Sequence, residues 1–178
     1  MFQPAIPLSG YGGWKFLQST YTRQLENFAD SPQIRNDRDY MVNKLSEPIS
    51  TEAFLDDRRL LRVTMTAFGL AGEEWKRGFV EKALDEAADP DSNFFQRLNN
   101  PKYTRYAQTF TPDEGQIRIA PDDLAGLADQ FERAAFQLAV GDVDNSMRLS
   151  LNYQSEIVDM VGIGSSDEAI LFRILGSV

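Results

Sequence analysis

The sequence predicts an all-α protein, a compact domain of about seven or eight helices, from three stretches. The first is Asp56–Leu70, where apolar residues form two adjacent rows at helical spacing, as in a helix buried at the centre of a domain. The second is an apolar seam from Trp14 to Phe28, with steps of three and four residues. The third is Pro121–Gly141, which repeats those steps after an acidic first turn.

The composition excludes several classes of function. The chain has 178 residues and a formal charge of −9, from 18 Lys and Arg against 27 Asp and Glu. Because no basic cluster interrupts this acidity, nucleic acid is disfavoured as a partner. The sequence contains no cysteine and no histidine, so thiolate chemistry, the usual general base and the commonest metal ligand are missing. We therefore expect no cofactor, no metal and no small-molecule substrate.

Residues 1–13 are predicted to be an extended, mobile segment, because prolines and glycines interrupt any helix there. The segment lacks the basic start and continuous apolar middle of a secretory signal. No apolar run approaches the roughly 20 residues that a membrane helix needs. We expect a protein that does not insert into membranes and that is cytoplasmic, or is exported without a cleavable signal peptide.

The seam begins a single all-helical domain predicted over residues 14–178. Two interpretations stay open: the seam packs on the domain's own core, or it forms an N-terminal helix that protrudes and pairs with a partner. Tyr11, at the edge of the mobile segment, is a further candidate for contact. The candidate interaction residues are Tyr11, Trp14, Leu17, Tyr21, Leu25 and Phe28.

The next helices are bounded by capping signals. Ser31 followed by proline starts a helix to about Leu45, SEPIS is a loop, and Thr51 caps a segment leading into Asp56–Leu70 with a bend near Asp56. Gly69 is placed to end the central helix in a left-handed conformation. A helix over Glu73–Ala88 is then predicted to bury a stripe that includes Trp75.

The remaining elements alternate with turns. A short helix containing Phe94 is followed by a helix over Lys102–Phe110 and by one short, isolated strand near residues 116–119. Asp142–Val161 fits either a helix or a strand at residues 147–153, and its length favours helix. A last helix starts at Ser165 or Ser166, and the abrupt apolar end suggests packing at the terminus or a truncated chain.

Charged clusters are the other candidates for chemistry. Adjacent carboxylates occur at Asp56–Asp57, Glu73–Glu74, Asp113–Glu114 and Asp122–Asp123, and placement in first turns explains them better than catalysis does. For the arginines at positions 58, 59 and 62 we expect ion pairing within the chain, with Asp56 as the partner of Arg59.

Four stretches resemble an uncharacterised, all-helical family of alphaproteobacterial proteins, many of them encoded in or near flagellar gene clusters. They are GGWKFLQSTYTRQLENFADSPQIRNDRDY (Gly12–Tyr40), DDRRLLRVTMTAFGL (Asp56–Leu70), FFQRLNNPKYTRYAQTF (Phe94–Phe110) and ILFRILGS (Ile170–Ser177). The resemblance implies an all-α fold and a link to flagellar structure, assembly or export. It assigns no catalytic residue, because the family has none established.

The leading hypothesis is a non-enzymatic protein-interaction component linked to the bacterial flagellum, whose partner is a flagellar protein or a second copy of itself. The alternative is a cytoplasmic chaperone or regulator of flagellar export, which should bind an unfolded export substrate. A remote alternative is a carboxylate-dependent hydrolase of cell-wall glycan, which requires two non-adjacent carboxylates facing each other across a cleft.

Overall fold

The protein is all-α, as the sequence predicts. A computed structural model describes the backbone of residues 3–162 and the side chains of residues 3–153. The predicted last helix lies outside the described residues. The helices are α1 (Gly10–Ala29), α2 (Pro32–Leu45), α3 (Thr51–Asp56), α4 (Arg58–Ala67), α5 (Arg77–Ala88), α6 (Phe94–Leu98), α7 (Pro101–Thr109), α8 (Pro121–Val143) and α9 (Asn145–Gly162), and the strands are β1 (Ile49–Ser50) and β2 (Gln116–Ile117).

The described residues divide into two compact units. The first unit is Thr22–Phe136, and the second consists of Gln3–Tyr21 with residues 137–162. The single helical domain that the sequence predicts over residues 14–178 stays a prediction. Helix α1 begins at Gly10, so residues 10–13 are helical rather than extended. The mobility of residues 1–13 stays a prediction.

Helix α4 is the central helix of the first unit, as predicted. Seven of its ten residues are buried. The hydroxyl of Thr64, within this apolar surface, donates to the carbonyl of Leu60 at 2.9 Å and lies 3.2 Å from the hydroxyl of Tyr106. Gly69 has a φ of +69° and follows the helix as predicted, while Leu70 N–H donates back to the carbonyl of Met65 at 2.8 Å.

Aromatic rings from α3 and α7 pack beside the end of α4. The ring of Phe110 lies 5.1 Å from Phe54, 5.9 Å from Phe68 and 4.8 Å from Tyr106, measured between centroids. These separations are typical of favourable aromatic pairs. The apolar residues that the sequence assigns to Lys102–Phe110 are therefore core residues of the first unit.

An ionic cluster joins α2 to α4. The buried Asp37 receives Arg59 Nε at 2.8 Å on one carboxylate oxygen and Arg62 Nη2 at 2.9 Å on the other. Ion pairing within the chain is confirmed for Arg59 and Arg62, but the predicted partner of Arg59 is wrong. Asp56 instead accepts from Arg77 at 2.9 Å. A carboxylate 22 residues away in sequence could not be identified from helical spacing.

The strand predicted near residues 116–119 is present but not isolated. Ile49 pairs with Ile117 and Ser50 with Gln116 in an antiparallel ladder. The SEPIS stretch, predicted as a loop, therefore supplies the partner strand. A strand pair this short leaves no alternation in the sequence, so the sequence does not predict β1.

Helix α5 starts later than predicted, at Arg77 rather than Glu73. Gly72 has a φ of +84°, and the chain from Leu70 to Lys76 forms successive turns instead of helix. The prediction that Trp75 lies on the buried stripe is wrong, because its side chain is 76% exposed. Glu73 therefore does not lie in the first turn of a helix either. Its carboxylate instead accepts a hydrogen bond from the hydroxyl of Tyr103 and forms an ion pair with Lys76 at 2.9 Å.

Asp57 separates α3 from α4 and caps α4. Its carboxylate accepts Leu60 N–H at 2.9 Å and the hydroxyl of Tyr40 at 2.5 Å. Burial tends to raise the pKa of this carboxyl, but the hydrogen bonds from Tyr40 and Leu60, with Lys44 nearby, outweigh burial and lower the pKa below its usual range. A lowered pKa means that the folded protein favours the ionised form. This stabilisation is complete above the unfolded pKa and is lost as the pH falls through the folded pKa.

Replacing Asp57 by alanine is expected to lower the free energy of unfolding by about 1–2 kcal/mol at pH 7. The loss should shrink as the pH falls below about 3.9, the pKa of an unfolded aspartate. Urea unfolding at pH 7 and pH 3 measures both values. The neighbouring Asp56→Ala is the control, because its exposed ion pair with Arg77 contributes little. If Asp57→Ala lowered the free energy of unfolding equally at both pH values, the ionised carboxylate of Asp57 would not be the source of the stabilisation.

Candidate interaction surface

The six residues proposed from the sequence do not form one exposed surface. Leu17 is fully buried and Phe28 is 6% exposed, with its ring edge-on to Phe136 at 5.5 Å. The side chains of Trp14, Tyr21 and Leu25 are partly buried. Tyr11 is 74% exposed, with Lys15 Nζ 5.5 Å from the centre of its ring. Leu17 and Phe28 thus have the burial of core residues, and Tyr11 retains an accessible ring.

The exposed apolar side chains are unevenly distributed. Among residues 3–153, seven large apolar side chains are exposed, and six of them belong to the second unit. The exception is Trp75 in the first unit. Isolated exposed apolar residues are normal on protein surfaces, but concentration in one small unit is typical of a contact surface. The six are Leu8, Tyr11, Leu138, Val143, Leu149 and Tyr153.

Helix α9 has apolar residues on two opposite faces, which resolves the ambiguity of residues 147–153 in favour of helix. Met147 and Leu151 are buried on one face. On the other face, Leu149 is 56% and Tyr153 is 37% exposed. Apolar residues on both faces produce the strand-like alternation in the sequence. We call the exposed set, Ser146, Leu149, Ser150 and Tyr153, the α9 face.

The serines of the α9 face form hydrogen bonds within their own helix. Ser150 donates to the carbonyl of Ser146 at 3.0 Å, and the Ser146 hydroxyl donates to Asp144 at 2.5 Å. Asp144 also accepts the N–H of Ser146 at 2.9 Å at the start of α9, and these bonds, the Ser146 hydroxyl first, lower the pKa of its carboxyl. Because both hydroxyls have acceptors, the face can be covered by another protein without leaving them unpaired.

The start of α1 is packed tightly within the second unit. A Cβ added at Gly13 would lie 1.8 Å from the carbonyl oxygen of Leu8 and 2.6 Å from the terminal methyl of Met147. Only a residue without a side chain allows both to approach this helix. The contact holds the segment before α1 and the buried face of α9 against the same turn.

Two of the four adjacent carboxylate pairs lie at helix ends. Asp122 and Asp123 lie in the first turn of α8, as predicted, whereas Asp56 and Asp57 end α3 and cap α4. A shallow depression on the first unit is lined by Gly78, Glu81, Lys82, Asp85 and Glu86 of α5 and by Asp89 directly after it. Because its carboxylates come from one helix and the residue that follows, they do not face each other across a cleft. Among the side chains that the structure describes, residues 3–153, no group of three or more Asp and Glu is placed to hold a metal ion.

The described helices include none with the length and apolarity of a membrane span. A comparison with curated proteins gave no match. A crystal structure of a protein from the alphaproteobacterium Agrobacterium tumefaciens is similar in fold, with a TM-score of 0.68 and 20% identity, over 88% of this chain and 71% of that one. At this identity the likeness establishes the fold alone.

The family comparison covers more than half of the chain. Residues 67–177 match the family described as protein of unknown function, DUF1217. The match includes α5 to α9, and so contains the α9 face but only part of α4 and nothing of α1. The chain belongs to the DUF1217 family, whose function is unknown.

Proposed function

We propose that this protein is a non-enzymatic, protein-binding component linked to the bacterial flagellum. The observation that supports binding is the concentration of six of seven exposed large apolar side chains in the second unit. The link to the flagellum rests on the sequence resemblance described above. The family itself has no known function, so this link is a proposal.

The contact surface proposed here differs from the seam proposed from the sequence. Leu17 and Phe28 are buried and cannot contact a partner without unfolding of their surroundings. Leu149 and Tyr153 on the α9 face, with Tyr11 at the start of α1, offer large accessible side chains instead. Tyrosine is enriched among the residues that dominate binding energy, and its ring can be buried while its hydroxyl remains bonded.

The experiment follows the full-length protein in flagellated cells. It compares cytosol, culture supernatant and purified basal bodies from cells with and without a working flagellar export gate. We expect the protein outside the cytosol only when the gate works. Cytosolic retention in both strains would contradict a structural role and favour the chaperone or regulator, which should then capture an unfolded export substrate.

A pair of variants connects this experiment to the surface. Leu149→Asp changes an exposed residue of the α9 face, and Trp75→Asp makes the same kind of change in the first unit. We expect Leu149→Asp to reduce the fraction found with basal bodies and Trp75→Asp to leave it unchanged. Equal behaviour of the two variants would contradict the assignment of the α9 face.

A further inference from the structure

We propose that residues 73–76 form a conformational switch, in which a hydrogen bond from Tyr103 to Glu73 holds them as a turn and its loss lets α5 begin at Glu73. The switch determines whether the side chain of Trp75 is exposed or covered. This inference goes beyond the protein-binding role proposed above and does not depend on it, because every residue that it uses to describe the two arrangements belongs to the first unit.

The turn is joined to α7 through the carboxylate of Glu73. One oxygen of this carboxylate accepts the hydroxyl of Tyr103, and it also accepts Lys76 Nζ at 2.9 Å. Hydrogen bonds to an ionised carboxylate are about twice as strong as those between neutral groups. Lys76 belongs to the turn itself, whereas Tyr103 lies on α7. The hydrogen bond from Tyr103 therefore fixes the turn against a neighbouring helix.

The observed start of α5 lacks two features that usually begin a helix. Lys76 lies at the N-cap, where its side chain has no acceptor for the helix N–H groups, and the first turn contains no acidic residue. A helix that began at Glu73 would place Glu73 and Glu74 at the positive end of its dipole. It would also place Glu73 four residues before Arg77, the favourable order for an ion pair on a helix. The sequence thus favours a longer α5 than the one observed.

The longer helix would cover Trp75. Trp75, Phe79 and Ala83 are spaced by four residues, so they share one face of a continuous helix. On that face Ala83 is fully buried, and the ring of Phe79 lies edge-on to the ring of Tyr103 at 4.8 Å. The observed turn instead leaves 76% of Trp75 exposed. Because covering an aromatic side chain is favourable, the longer helix gains burial that the turn lacks.

Gly78 opposes the longer helix. It lies in the first turn of the observed α5, and an earlier start would move it into the helix interior. Glycine is less favourable there than any residue except proline. The added burial of Trp75 and the cost of Gly78 act in opposite directions, so the hydrogen bond between Tyr103 and Glu73 decides which arrangement is populated.

Tyr103→Phe tests the switch, because it removes the hydroxyl and keeps the ring. Hydrogen exchange of the purified full chain, followed at individual amides by NMR, reports where α5 begins. The amides of Arg77 and Gly78 are the first two of the observed helix and have no acceptor within it. In the longer helix they would donate to carbonyls four residues earlier. We expect both amides to exchange more slowly in Tyr103→Phe, and unchanged or faster exchange would overturn the proposal.

Tryptophan fluorescence measures the second consequence. A covered indole emits at shorter wavelength than an exposed one, so Tyr103→Phe should shift the emission to shorter wavelength. The shift should be absent when Tyr103→Phe is combined with Trp75→Phe, which leaves Trp14 as the emitting residue. A shift that persists in the combined variant would show that Trp75 is not the residue that becomes covered, and would contradict the switch.

Glu73→Ala removes the same hydrogen bond from its other end and should produce both changes, which provides the test if Tyr103→Phe does not fold. Tyr40→Phe is the matched control, because it removes a hydrogen bond of the same kind, to Asp57, elsewhere in the first unit. We expect Tyr40→Phe to change neither the exchange of the two amides nor the emission of Trp75. The same changes in both tyrosine variants would refute a specific role of Tyr103.

Discussion

Replacing Leu17 by aspartate is expected to lower the free energy of unfolding by about 4 kcal/mol or more. Leu17 is fully buried, so the change removes a packed side chain and places a carboxylate where no water reaches it. If the seam of α1 were a partner surface, the same change would leave stability nearly unchanged. Chemical unfolding of the purified variant distinguishes these two outcomes.

Leu25→Asp is the matched control for Leu17→Asp, because Leu25 belongs to the same seam but is only partly buried. The aspartate that replaces Leu25 can reach water, so the free energy of unfolding should fall clearly less than it does in Leu17→Asp. Similar stabilities of Leu17→Asp and the unchanged protein would show that the burial of Leu17 contributes nothing to the fold.

Replacing Gly13 by alanine is expected to lower the free energy of unfolding by about 2–3 kcal/mol. Alanine is favoured over glycine in a helix by about 1 kcal/mol. Here that preference is outweighed, since the new Cβ would lie 1.8 Å from the backbone oxygen of Leu8. A backbone atom cannot move aside as a side chain does, so the segment before α1 must shift.

Gly12→Ala provides the control for Gly13→Ala in the same denaturation experiment. A Cβ at Gly12 would meet Leu8 Cδ1 at 3.6 Å, an ordinary contact. We expect this variant to equal the unchanged protein in stability or to exceed it slightly. Equal stability of the two alanine variants would contradict the close packing around Gly13.

Much of the fold could be predicted from the sequence because its signals are local. The two apolar rows of α4 and the glycine after it predicted a central helix and its end. The features that were missed depend on distant residues or on backbone geometry. Asp37 pairs with arginines more than 20 positions away, and β1 is recognisable only from its partner β2. The turns after Gly72 displaced Trp75 from an otherwise regular stripe.

The candidate surface was harder to predict than the fold. The seam of α1 and the α9 face both have apolar residues at helical spacing, and spacing does not tell which one is covered. Leu17 turned out to be buried, whereas Leu149 and Tyr153 are exposed because Met147 and Leu151 already fill the inner face of α9. The available signal is the presence of apolar residues on both faces of one helix, and from the sequence alone this pattern does not distinguish a helix from a strand.

The central claim is that α1 supplies core residues and the α9 face supplies the contact. The most direct test measures the free energy of unfolding and the fraction found with basal bodies for Leu17→Asp and Leu149→Asp side by side. The claim predicts a large loss of stability for Leu17→Asp, and for Leu149→Asp weaker association at nearly unchanged stability. A stable Leu17→Asp that loses association, with a Leu149→Asp that associates normally, would contradict it and return the contact to the seam of α1.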